Sequence, residues 1–228
     1  MWLTVQEKWG SIELIEEGTY PATCFQVIDL WTQESEFDGV ANSAHKVLFG
    51  FVIPELSYEY EDKESGKKRT GYKTITARFT ASLSNKATLT GFLNRWRGKK
   101  FTDDELKGFD LKKVLWANCM LQVVHSKDGK WANVESCAPL YKGIEVWKTD
   151  KEPLAFEMDV NAENLYDEDI YAKLPEFLQD TIAKSLEFKK FFGIESIEDQ
   201  EENMKVEAEV QKKKQSEANA EEATSAFE

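Results

Sequence analysis

The chain has 228 residues, with 42 Asp and Glu against 29 Lys and Arg, a net charge of −13 and 41% apolar residues. That length suits one domain with appendages, and no apolar run approaches the ~20 residues of a membrane span. The start, Met1-Trp2-Leu3-Thr4-Val5-Gln6-Glu7, lacks the basic and apolar regions of a signal peptide, so a soluble, cytoplasmic protein is expected.

Residues 19–31 combine Cys24, Ile28 and Leu30 with Phe25, Val27 and Trp31. Both faces of such a strand are apolar, so it is buried on both sides or lines a binding surface. A polar loop is expected from Thr32 to about Ser43, then a second strand over 44–53, ended by Pro54, which has no N–H to donate. A charged hairpin loop, 55–71, precedes a third strand over 72–81. There Ile75, Ala77, Phe79 and Ala81 alternate with Tyr72, Thr74, Thr76, Arg78 and Thr80, which assigns the first set to the core.

Leu89, Phe92, Leu93 and Trp96 fall on one face of a helix over 86–97, with Ser84 as candidate N-cap and Gly98 as its stop. Thr102 is placed to cap a short turn over 103–108. A fourth strand is expected over 114–125, an Asp-Gly hairpin turn at 126–130, and a fifth strand over 131–138. Leu174-Pro175 opens an amphipathic helix of about 175–191, expected to pack back on the strands. From Glu195 to Glu228 there are eleven acidic and four basic residues and little to bury, so an acidic, mostly disordered tail is expected.

The order β-β-β-α-β-β places the chain in the mainly β class with helices. It matches an OB-fold-like five-stranded barrel with a helix between strands 3 and 4; another small barrel, such as an SH3-like one, is the alternative. The expected divisions are a folded domain over 1–150, a helical extension over 151–192 and the tail over 193–228.

Charge divides along the same lines. Residues 1–150 hold 20 Lys and Arg against 21 Asp and Glu, whereas residues 151–228 hold 9 against 21. The negative excess therefore belongs to the last third. From Ser65 to Thr102 no acidic residue occurs, while ten basic ones do: Lys67, Lys68, Arg69, Lys73, Arg78, Lys86, Arg95, Arg97, Lys99 and Lys100. Clustered like charges repel, which points to a polyanionic partner.

Single-stranded nucleic acid is held by cations along its phosphates and by aromatic faces on its bases. Tyr72, Lys73 and Arg78 on the third strand, Arg95, Arg97, Lys99 and Lys100 around the end of the helix, and Lys67, Lys68 and Arg69 before the third strand supply the pattern. Trp31 beside the expected 1–2 loop, and Lys127, Lys130 and Trp131 beside the 4–5 loop, complete the candidate set. Trp96 and Phe79 read as core.

Catalysis has little basis. No GxSxG, HExxH, HxE…CxxC or GxxxxGK[ST] pattern occurs. Asp103-Asp104-Glu105 reads as the acidic first turn of a helix rather than a nuclease metal site. Cys24, Cys119 and Cys137 lack CxxC spacing and, with only His45 and His125, give no zinc pattern. No enzyme activity, metal or cofactor is expected.

The stretch Phe92-Leu93-Asn94-Arg95-Trp96-Arg97-Gly98-Lys99-Lys100-Phe101-Thr102, then Glu105 and Gly108-Phe109-Asp110-Leu111, resembles a pattern recurrent in bacteriophage and prophage proteins. Cys119, His125, Gly129-Lys130-Trp131-Ala132, Lys142-Gly143, Leu174-Pro175-Glu176-Phe177-Leu178-Gln179 and Cys24-Phe25-Gln26-Val27-Ile28-Asp29-Leu30 belong to it, so it spans about 18–190. The resemblance implies an OB-fold single-stranded DNA-binding protein of phage DNA replication or recombination, acting in the bacterial host cytoplasm. Two positions depart from it: Trp31 and Trp116 stand where glycine is usual. The acidic end, with Phe227, partly resembles tails that recruit replication or recombination proteins. A helicase-loader or recombinase-accessory adaptor without DNA contact is the rival reading, with a nuclease or annealing enzyme and an oligosaccharide binder behind it.

Overall fold

The computed structural model describes residues 14–62, 66–145, 153–158 and 165–193. Two units are distinguished, the first reaching Leu174 and the second beginning at Pro175.

The first unit is built on an open, mainly antiparallel sheet. Its strands are β1 (Gly18–Phe37), β2 (Val40–Glu61), β3 (Lys68–Thr80), β4 (Asn118–His125), β5 (Ala132–Pro139) and β6 (Leu154–Phe156). The path runs β3-β2-β1-β4-β5, and β6 pairs with β1 in parallel. Its two ends, β3 and β5, come into contact with each other. Helix α1 (Thr88–Arg97) packs on both of them. β6 joins the β1 edge at 26–28, just beyond the 18–23 segment paired with β4. The unit therefore extends past the boundary expected at 150.

The first strand is buried on both faces, as its double apolar pattern predicts. Ala22, Cys24 and Val27 enter the main core, and Phe25, Ile28, Leu30 and Trp31 are buried outside it. Register shifts at Cys24/Gln26 and Asp29/Trp31 are β-bulges, which re-aim side chains along the strand. The core's centre is aromatic. Phe92 on α1 lies 4.7 Å from Phe79, 6.1 Å from Trp96, 6.3 Å from Phe51 and 6.4 Å from Phe49, centroid to centroid. Trp96 is buried there and donates its indole N–H to the Asn118 carbonyl at 3.1 Å.

Four expectations for β1, β2, α1 and β4 change. The polar loop after Thr32 is absent, because β1 and β2 continue as a ribbon to a two-residue turn at Asp38-Gly39 (φ 53° and 74°). Asp-Gly at positive φ is the turn that matches strand twist. Pro54 does not end β2. It falls in the register shift between Ile53 and Ser57, where no ladder N–H is needed, and pairing with β3 resumes beyond it. Ser84 does not cap α1; the N-cap is Ala87, with no side-chain bond. The fourth strand begins at Asn118 rather than 114, since Asp110 accepts from the Lys112 N–H and opens a 3-10 turn over Leu111–Val114.

Other expected signals hold. Gly98 ends α1 in the left-handed region (φ 66°). Thr102 caps α2 (Asp103–Lys107) in a reciprocal box with Glu105. α3 (Glu168–Ala172) closes the first unit, capped by Asp167.

The second unit contains α4 (Glu176–Ala183) and α5 (Leu186–Phe191), not the single helix expected over 175–191. Ser185 interrupts it, because its hydroxyl accepts from the Phe188 N–H and starts a new helix. The tail from 195 onward lies outside the described residues.

Cys24, Cys119 and Cys137 are all free and buried. Burial pushes the Cys24 and Cys137 thiols up to about 12 and raises that of Cys119 as well. Thiolate is the reactive form. In the folded protein none of the three should react with Ellman's reagent at pH 8 at more than about a thousandth of the rate of a free thiol, whereas all three should titrate in denaturant. A rapid native reaction would contradict this packing.

Candidate nucleic-acid interface

A groove of about 900 Å³ opens between the first half of β3 and the β4–β5 turn. Tyr58, Tyr72, Lys73, Ile75, Lys130 and Trp131 line it. Four of these, Tyr72, Lys73, Lys130 and Trp131, are predicted site residues, drawn together from positions about sixty apart in the chain.

Trp131 is held by its backbone. Its N–H donates to the Ser126 hydroxyl at 3.1 Å, and its carbonyl accepts from the Ser126 N–H at 2.8 Å. Asp128 organises the turn by accepting from the Ser126 hydroxyl at 2.5 Å and the Lys130 N–H at 3.2 Å, and Gly129 supplies the positive φ (67°). Those hydrogen bonds hold the Asp128 carboxyl below the usual carboxylate range. The indole itself is 67% exposed. A large ring left in solvent on a pinned turn keeps its faces open. Lys127 is exposed at the same turn, and Lys130 lies 3.9 Å from Asp128.

Tyr58 was missed by sequence reasoning, which placed it in a charged loop. The ladder resumes past Pro54, pairing Tyr58 with Gly71. A side chain at Gly71 would come within 2.6 Å of the Tyr58 ring, so the glycine makes room for the ring to lie across the strand. The signal available was the alternation Tyr58-Glu59-Tyr60-Glu61.

The remaining predicted residues divide. Lys67, Lys68 and Arg69 are exposed on the β2–β3 ribbon beyond the groove. Arg78, Arg95, Lys99 and Lys100 are exposed but do not line it. Trp31 is overturned as a stacking residue. It is fully buried, its backbone is left-handed (φ 60°), and its ring meets Phe156 at 6.2 Å and Tyr166 at 5.9 Å. The loop it was expected to flank is a strand instead. Trp116 shares the left-handed backbone (φ 64°), so both positions that depart from the resembled pattern adopt a conformation that favours glycine.

Arg97 is also overturned. Its guanidinium bonds the Glu105 carboxylate and lies 4.2 Å from the Phe101 ring centre and 5.3 Å from that of Phe109. The Thr102 N–H and then Arg97 hold the Glu105 carboxyl below its usual range. This arginine ties α2 to α1 and is not available to a phosphate. The acid-free stretch is thus less one-sided in space than in sequence. Arg69 pairs with Asp62 at 3.1 Å and Lys68 with Glu59 at 3.8 Å, both acids coming from β2 and its turn.

Asp103-Asp104-Glu105 forms the first turn of α2, with Asp104 bonded to Lys107 at 2.7 Å. Among the described residues no group of three His, Cys, Asp or Glu is placed to hold a metal ion, and no helix is long and apolar enough to cross a membrane. Comparison with family models, curated proteins and solved structures finds no match.

Proposed function

We propose that this protein binds single-stranded DNA through the groove between β3 and the β4–β5 turn, in phage DNA replication or recombination. The observation that carries the reading is the meeting of an exposed indole, two tyrosines and two lysines in one open groove. Lysines neutralise phosphates while rings stack on unpaired bases, a combination that duplex DNA, with its bases already stacked, does not satisfy. The strand order, with β3 and β5 approaching each other, supports an OB-like barrel as the scaffold. In such a barrel the 4–5 loop and strand 3 are ligand-facing elements.

Tryptophan fluorescence titration with poly(dT) tests the reading. Stacking on Trp131 quenches emission, and affinity falls with added salt as counterions are released. No quenching and no salt-dependent binding would favour the adaptor reading.

The acidic segment from 195 onward, outside the described residues, has a second role in this proposal. It competes with DNA for the lysines and, once displaced, recruits a replication or recombination protein. Deleting 195–228 should tighten poly(dT) binding; unchanged affinity would remove the competing-tail mechanism.

A further inference from the structure

Beyond the groove, β2 and β3 continue as a two-stranded ribbon. Its pairs run from Ser57↔Tyr72 through Tyr60↔Arg69 to Glu61↔Lys68. Alternation puts Tyr58, Tyr60, Arg69 and Gly71 on one face. It puts Glu59, Glu61 and Lys68 on the other. Glu59 and Glu61 are therefore sorted away from Tyr58 and Tyr60, whereas Tyr72, paired with Ser57, shares the face of those two acids.

Tyr58 and Tyr60 are 51% and 43% exposed, with ring centres 6.0 Å apart. Tyr58 lines the groove, and Tyr60 does not. Neither ring belongs to the core; Tyr58 lies over Gly71 at the groove, and Tyr60 continues the solvent-facing row beyond it.

We infer that this tyrosine face is a second stacking segment for single-stranded DNA, extending the path from the groove along the ribbon, with Tyr58 at the junction and Tyr60 beyond it. The inference rests on the proposed DNA-binding reading. The four pair steps from Ser57 to Glu61 span about 13 Å at ~3.3 Å per residue. Along that length the two rings, 6.0 Å apart, take about one base each, so the segment holds about two nucleotides. Arg69 lies on the same face but is held by Asp62, so stacking carries this segment and its contribution is insensitive to salt.

The test uses the full chain and two oligothymidylates, of about five and about twelve nucleotides, within the ~4–16 that one such fold covers. Tyr60→Ala should weaken the longer oligomer about fivefold or more, leave the shorter one unchanged, and leave the salt slope of the longer unchanged. Tyr58→Ala should weaken both, and Tyr60→Phe should bind like the unaltered chain. Equal affinity of Tyr60→Ala and the unaltered chain for the longer oligomer overturns the ribbon segment while leaving the groove intact. So does failure of Tyr60→Phe to bind normally, because a ring alone should suffice. Failure of the unaltered chain to bind either oligomer overturns the DNA-binding reading itself.

Discussion

Trp131→Ala should weaken poly(dT) binding about 5- to 150-fold, the ~1–3 kcal/mol that one stacked base contributes. The same substitution should remove most of the DNA-induced quenching. Trp31 and Trp96 are buried, whereas Trp131 is the most exposed described indole. Folding should be little changed, because the Ser126–Trp131 contacts are made by the Trp131 backbone. Equilibrium fluorescence titration gives the affinity, and a urea midpoint on the same variant gives the control. Full-strength binding by Trp131→Ala would move the site away from the β4–β5 turn. Lys73→Ala and Lys130→Ala should instead lower the dependence on salt, each by about 0.7 in slope for a single strand.

Phe92→Ala should cost about 3–5 kcal/mol, the range for deleting a large buried aromatic side chain. Phe92 reaches both the β2 and the β3 aromatics, and Trp96 beside it on α1 also meets Phe49 and Phe51. Four ring partners lie between 4.7 and 6.4 Å from it, and they come from three separate elements. The surrounding rings cannot all move inward together, so a cavity remains. Since a domain's whole stability is about 5–15 kcal/mol, the urea midpoint should fall on the order of 1–3 M. A change below about 1 kcal/mol would show that α1 contributes little to holding the two ends of the sheet together.

The sequence was most informative where a period and a terminal signal agreed. Leu89, Phe92, Leu93 and Trp96 repeat on one helix face, Gly98 stops the helix, and Thr102 with Glu105 starts the next. The β4–β5 hairpin was legible for the same reason, with Asp128-Gly129 between two alternating runs. The β1–β2 ribbon carried an equal signal in Asp38-Gly39, but the polar residues around it masked the strand period. Nothing local announced β6. Three residues adopt a strand there because β1 presents a free edge, which is a tertiary cause.

For the candidate site, residue types were legible and partners were not. Composition marked out the basic stretch, yet whether an arginine meets a phosphate depends on what lies opposite. Arg97 finds Glu105 eight residues on, and Arg69 finds Asp62 across a turn. Trp31 followed the same rule. Its place beside a presumed loop suggested exposure, and the strand's continuation buried it. Tyr58 and Tyr60 were hidden among acids whose alternation sends them to the opposite face.

The sheet's hub has a kinetic consequence during synthesis. β1 leaves the ribosome first, yet Thr23 bonds Asn118, 95 residues later. At ~5–20 residues per second, that partner follows roughly 5–20 s behind. Until β4 emerges, a long apolar strand waits with one side of its backbone unpaired, which invites pairing with other nascent chains. Yield of native protein should therefore depend on what shields that segment in the interval, more than on the final depth of its burial.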